Sequence, residues 1–339
     1  MYIVKSKKNR KNKKKSKKIY KTKVKYDKVK SIKSIKSIKS IKSINNKIKS
    51  GGNRITSIFQ DIQKISGSYN LTILENKDKN RIIIFFYDWH DKLNECINCN
   101  ISKGCYNMTE IFKYFDKSEC SLFLEAFRNK DLNYPGSEME KIRDIEFQNA
   151  KLKYVDIRTS KILDIFINWL IELFNSNSDI ISDKKTNDDI FEFIYDYIVN
   201  DFLPKTLKIV IVDNALHSFI EKIKNNPEVK KLCIELFDNI KFINKHDEKD
   251  KWFVSSTFYY HAATFLYFII DIYTIMLIEK AKKNISVIWM GGKHIQSILS
   301  YYVEIEKNWD IILGEEFIHK IYNIKSKCIN INPFELNIQ

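Results

Sequence analysis

Residues 81–90 read Arg-Ile-Ile-Ile-Phe-Phe-Tyr-Asp-Trp-His. A run of β-branched and aromatic side chains that stops abruptly on an acid and an imidazole predicts a buried strand whose end, at Asp88 and His90, forms the floor of a site. Three later segments repeat the arrangement. Residues 120–125 (Cys-Ser-Leu-Phe-Leu-Glu) end on Glu125, and residues 153–158 (Lys-Tyr-Val-Asp-Ile-Arg) end on Asp156 and Arg158. Residues 285–294 end on the pair Gly291-Gly292 and on His294. Helix-like sequence follows each run. In an open parallel sheet the strand C-termini share one edge, and ligands bind there. The four ends therefore predict one crevice holding Asp88, His90, Glu125, Arg158 and His294.

The chain has 339 residues and is 44% hydrophobic, enough for one sizeable core. Its charge is unevenly placed. Residues 1–50 hold 21 Lys and Arg against one acid, Asp27, whereas the remainder holds 37 basic and 41 acidic residues. The formal net charge of +16 thus describes a tail, and the body is mildly acidic, which argues against a nucleic-acid-binding surface on the folded part. The tail, residues 1–55, is of low complexity, with a Ser-Ile-Lys repeat over residues 31–44. A period of three matches neither a helix nor a strand, and dense like charge opposes collapse, so the tail is expected to be disordered. Its positive charge suits nucleic acid. No apolar core of a secretory signal is present near the start, so the expected setting is intracellular, cytoplasm or nucleus, and not secreted. Six cysteines in a chain this long do not make a disulfide scaffold, and a reducing compartment is the default.

Residues 56–339 are expected to form a single α/β domain. Residues 70–75 and 81–87 predict a hairpin, residues 58–66 a short helix, and residues 108–115 a helix capped by Asn107 or Thr109. From 159 to 283 the apolar periodicity is helical, with breaks expected at Pro204 and near Pro227. The resulting fold class is α/β: a mainly parallel sheet with flanking helices and a helical insertion, residues 159–283, between the third and fourth core strands. Residues 258–278 are long and apolar enough to suggest a membrane span. His261, Asp271 and several tyrosines interrupt them, so a buried core helix is expected and no transmembrane segment. Asp271 then needs a partner, and Arg158 is one candidate.

Imidazole suits proton transfer near neutral pH, which makes His90 and His294 candidate catalytic groups with Glu125. Arg158 could meet developing negative charge, Asp88 could orient an imidazole or bind a cation, and the amides of Gly291 and Gly292 could donate to an oxyanion. His90, Glu125 and His294 could also hold a divalent metal ion. Cys96, Cys99 and Cys105 form a second cluster, open to three readings: a zinc site completed by His90, free thiols, or a disulfide in an oxidising assembly. No Gly-rich phosphate loop, Gly-x-Ser-x-Gly elbow or His-Glu-x-x-His helix is present, which argues against a nucleotidase, a serine α/β-hydrolase and a zincin.

The ordered set Tyr87-Asp88-Trp89-His90, Phe123-Leu124-Glu125, Asp156-Ile157-Arg158, Asp271-Ile272-Tyr273 and Gly291-Gly292-Lys293-His294 resembles the erythromycin esterase, ChaN and TraB/TIKI superfamily over about residues 80–300. The Lys/Ile/Asn bias and the cysteine-bearing segment also resemble proteins of giant DNA viruses. The resemblance implies a His/Glu site. His90 would be the general base or a metal ligand, Glu125 its partner, Arg158 the residue for substrate charge, and His294 the second histidine. Members span lactone hydrolysis, metal-dependent proteolysis and haem binding, so no single substrate or cofactor follows. Tyr87-Asp88 stands where that superfamily has Gly-Glu. The leading expectation is a hydrolase-like protein acting on an ester or amide; the other is a non-catalytic viral scaffold or virion protein with a nucleic-acid-binding tail.

Removing residues 1–50 is expected to abolish salt-sensitive binding to DNA or RNA and to leave Tm nearly unchanged. Filter binding across a salt series and a thermal melt check this; binding that survives the deletion places the contact elsewhere.

Overall fold

The computed structural model describes residues 59–88, 96–118, 120–126, 138–158, 160–177, 186–208, 214–245, 248–314 and 328–331. The basic tail and residues 89–95, His90 among them, lie outside them, as do residues 315–327. The elements below belong to one compact unit, residues 47–339.

Six strands build the central sheet: β2 (Asn70–Asn76), β3 (Arg81–Asp88), β5 (Ser121–Leu124), β6 (Leu152–Tyr154), β7 (Ile285–Gly291) and β8 (Asp310–Leu313). They lie in the order β6-β5-β7-β3-β2-β8. The four core strands expected from their apolar runs, β6, β5, β7 and β3, are adjacent and mutually parallel. β2 pairs antiparallel with β3, the expected hairpin, closed by a turn in which Asn80 takes φ 50°. β8 adds antiparallel to β2 at the far edge. The sheet is therefore mixed, so the mainly parallel expectation is met in part: the four core strands are parallel, and the hairpin strand and a short C-terminal strand run against their neighbours.

Side chains alternate across the sheet, and both faces are buried. Ile83, Phe85, Tyr87, Phe123, Ile288 and Met290 pack with the helical insertion. Ile82, Ile84, Phe86, Leu122, Leu124, Val287 and Trp289 pack on the opposite side against Phe59, Ile62, Ile65 and the helix α1 (Met108–Asp116). This double burial is why the strands read as unbroken apolar runs. Asn107 and Glu110 form a reciprocal capping box at the start of α1, so Asn107 rather than Thr109 is the cap. A six-residue helix, α2 (Glu138–Arg143), precedes β6, and the carboxylate of Asp116 accepts the amides of Gln148, Asn149 and Ala150 to hold the connection between them.

Between β6 and β7 the chain is helical: α3 (Ser160–Ser176), α4 (Asn187–Tyr197), α5 (Asn214–Lys224), α6 (Pro227–Lys245) and α7 (Glu248–Glu279). Pro204 does not end the second of these. The helix widens to π geometry over Ile198–Leu207, with Pro204 inside it, and stops at Lys208 in the left-handed conformation. A widened turn re-routes the hydrogen bonds, and proline has no N–H to place in them. α7 is the one helix among the described residues long and apolar enough to cross a membrane. It packs against α3 and α6, with Phe258, Ala262, Phe265, Ile269, Ile272 and Ile275 in the core. After β7 come α8 (Gly292–Ser300) and a wide turn, Tyr301–Glu306.

A second, three-stranded sheet lies under α1. β1 (Lys64–Ser66) pairs parallel with β4 (Cys105–Asn107) and antiparallel with β9 (Cys328–Asn330). Residues 64–66 thus form a strand where a helix was expected; β4 and β9 supply ladder partners that local periodicity cannot reveal. Two disulfides belong to this sheet, Cys96–Cys328 and Cys99–Cys105. They correct the zinc reading of Cys96, Cys99 and Cys105: a sulfur bonded to sulfur has no thiolate to offer a metal. They also depart from the default of reduced thiols, because such bonds persist in oxidising surroundings. Cys120 and Cys233 are free and buried.

Cys96–Cys328 closes 232 residues of chain and ties β9 to the rest of the sheet. Cys96→Ser/Cys328→Ser is expected to lower the unfolding free energy by about 2–5 kcal/mol, read by urea unfolding without reductant. An unchanged midpoint would show that the bond adds nothing to stability in solution.

Candidate functional site

The parallel register delivers four strand ends to one edge. Asp88 lies opposite Gly291, and Leu124 opposite Trp289. The ladder continues one residue further, with the Glu125 amide donating to the Trp289 carbonyl and the Val155 amide to the Leu124 carbonyl. Glu125 keeps the parity of Phe123, so its side chain faces the helical insertion.

Glu125 meets three groups there. Its Oε2 accepts the Gly291 amide at 2.5 Å, where β7 turns into α8. Its Oε1 lies 3.4 Å from His294 Nε2 and 3.4 Å from Arg158 Nη2. His294 sits on the first turn of α8, and its Nδ1 is 2.6 Å from Asp271 Oδ1 on α7. Tyr267, one turn before Asp271, lays its ring against the imidazole at a centroid distance of 3.8 Å. The Arg158 guanidinium lies 5.6 Å over the same tyrosine ring and pairs with Asp156 through Nε and Nη2, at 3.0 and 2.8 Å. The result is a chain of alternating charge: Asp271, His294, Glu125, Arg158, Asp156.

His294 is 1% exposed, Glu125 5% and Asp271 4%. Burial opposes the charge on His294, but Asp271 and Glu125 outweigh it and raise its pKa to about 9. The ring is therefore an imidazolium at neutral pH. Burial also opposes the charge on Glu125; His294, the Gly291 amide and Arg158 overcome it and hold the carboxyl below its ordinary range. For Asp271 burial prevails and raises the value, with His294 pulling the other way. Burial pushes the Tyr69 hydroxyl up to about 12, with Asp88 adding to the effect.

Of the residues expected in the crevice, the structure brings Glu125, His294, Arg158 and Gly291 together and places Asp88 on the same edge. His90 lies outside the described residues. Three expectations change. The Gly291 amide is engaged by Glu125, so it is not an open oxyanion donor. At Gly292 an added Cβ would come within 1.9 Å of the Tyr69 hydroxyl oxygen; this glycine is needed for a close approach of Tyr69, not for an uncovered backbone. Asp271 pairs with His294, not with Arg158. Among the described residues no three His, Cys, Asp or Glu side chains are arranged to hold a metal ion. Tyr267 was not expected in the site, and Asp271 only as a candidate partner of Arg158. The available signal was Asp271 itself, the one acid in the apolar stretch 258–278.

The chain matches no family model, no curated protein and no solved structure.

Because the folded-state pKa of His294 is raised, its contribution to stability is complete below about pH 6.5, its unfolded value, and is lost as pH rises through about 9. Unfolding free energy is expected to fall by roughly 3 kcal/mol across that window and to become flat in His294→Gln. Urea titrations at a series of pH values measure it; an equal slope in the variant would assign the effect to another group.

Proposed function

We propose that the protein is hydrolase-like and acts on an ester or amide at the C-terminal edge of the parallel strands. The observation that supports this reading is the convergence of Glu125, Arg158 and His294, distant in sequence, on one point of that edge. His90 would take the proton of the attacking water as the bond between carbonyl carbon and water oxygen forms, and collapse of the tetrahedral intermediate would break the bond to the alcohol or amine, which leaves with the proton returned by His90. Glu125, held ionised, would orient that base. Arg158, the half-buried cation of the group, would face the oxyanion of the tetrahedral intermediate. His294 would serve as a fixed positive charge and not as a second base, since both its nitrogens face carboxylates. The likeness of the ordered motifs to the erythromycin esterase, ChaN and TraB/TIKI superfamily supports the same reaction class.

A second reading is a non-catalytic scaffold or virion protein whose basic tail binds nucleic acid. The nearly complete burial of His294 favours it, because a self-satisfied ion chain can join two layers without reacting with anything.

The test is a panel of aryl and alkyl esters, lactones and peptides, with metal analysis of the purified protein. Wild type is expected to turn over at least one class, and His90→Ala to lose about 10²-fold or more in kcat. Arg158→Gln should lower kcat with little change in ground-state binding. No turnover above buffer would favour the scaffold, and full activity in His90→Ala would take the role of base away from His90.

A further inference from the structure

We infer that Asp271 is a positioning residue of this site: carried in by α7, it fixes His294, and through His294 it fixes the Glu125 carboxylate at the start of α8. The inference rests on the hydrolase reading for the reaction, and on geometry alone for the coupling.

The imidazole is constrained on two sides by one helix. Asp271 takes Nδ1 at 2.6 Å, and Tyr267, four residues earlier on the same face, covers the ring plane at 3.8 Å between centroids. With Nδ1 anchored and the ring face covered, Nε2 has one direction left, and it points at Glu125 Oε1, 3.4 Å away. That distance is an ion-pair contact and not a formed hydrogen bond; Nε2 is buried without a hydrogen-bond partner among the described residues. Glu125 is thus held at two points that come from different parts of the chain. The Gly291 amide holds Oε2, and this contact belongs to the sheet edge. Oε1 is held by Arg158 Nη2, which donates to it at 3.4 Å, and by the charge of His294, whose orientation is set by the insertion. The described charged and titratable groups facing the ring are Asp271 and Tyr267 from α7 and Glu125 from the end of β5. Arg158 and Asp156 stand behind Glu125, from the segment after β6.

A merely structural Asp271 would fill space. A positioning Asp271 must make the protonation of His294 and the placement of Glu125 depend on its charge. Asp271→Asn keeps the volume and removes that charge. The ring of His294, assigned by its loss in His294→Gln, and the Gly291 amide are both visible by NMR in full-length, isotope-labelled protein. Wild type is expected to show both ring N–H protons at pH 7 and a Gly291 amide proton shifted downfield by its short bond to Glu125. In Asp271→Asn the ring midpoint should fall by about one pH unit or more, and the Gly291 amide should move upfield; Asp271→Glu should restore both in part. Unchanged signals in Asp271→Asn would overturn the inference. If that variant does not fold, wild type decides alone: a ring with a single N–H at pH 7 also overturns it. Coupling without turnover on any substrate would sink the hydrolase reading and leave the positioning role intact. Turnover without coupling would do the reverse.

Discussion

An imidazolium buried between two carboxylates is the constraint on which the rest of this structure turns. A single ion moved into a protein interior costs several kcal/mol, and only neighbours of opposite sign, held in fixed geometry, offset that. Here the alternation Asp271, His294, Glu125, Arg158, Asp156 gives each interior charge an opposite neighbour on both sides, and its most exposed member is the Arg158 guanidinium. Removing an interior member would take one opposite charge from each of its neighbours. The chain needs α7, α8, the end of β5 and the segment after β6 at once, so it ties the helical insertion to the sheet edge at a defined place.

Strand order makes that possible. β7 is last of the four parallel strands in sequence but lies between β3 and β5 in space. The insertion must therefore leave from β6 at the edge and return to the middle of the sheet. On its return the chain passes through Gly291 and Gly292 into α8, which puts His294 within reach of Glu125 on the neighbouring strand. Gly292 allows this because Tyr69 occupies the space a side chain would need. The helix dipole adds to the effect: the carboxylate of Glu125 sits where a helix N-terminus favours negative charge.

The parts legible in the sequence were those governed by short-range pattern. The four core strands announce themselves as unbroken apolar runs because both sheet faces are covered, and their polar ends identified Glu125, Arg158 and His294 as neighbours. The hairpin, a cap at Asn107 or Thr109 and the described helices α3 to α7 follow from the same local rules. What was not legible depends on contacts across long separations. β1, β4 and β9 are three residues each and exist only as each other's partners. The pairing of Cys96 with Cys328 spans most of the folded chain, so spacing among Cys96, Cys99 and Cys105 left zinc, free thiols and a disulfide open. Asp271 was recognised as needing a partner, but periodicity gives the face of a helix and not the residue opposite it. Arg158 was as good a candidate until the positions of α7 and α8 were known.

That last point bears on α7 itself. By length and composition it is the sort of helix that could lie in lipid, yet in this structure it is wrapped by α3, α6 and α8. A lone carboxylate in the middle of such a helix is expensive in lipid and in a protein core alike. His294, delivered from another element, removes the difficulty in the core by supplying an opposite charge at hydrogen-bond distance. The longest helix in the described structure therefore has its packing position specified by its one interior acid. Apolar contacts, which are non-directional, would let α7 slide or rotate over its neighbours at modest cost. The 2.6 Å contact to Nδ1 does not, since a displacement of one residue along α7 would turn Asp271 away from α8. Apolar burial holds the insertion to the sheet, and the buried ion pair selects the register in which it is held.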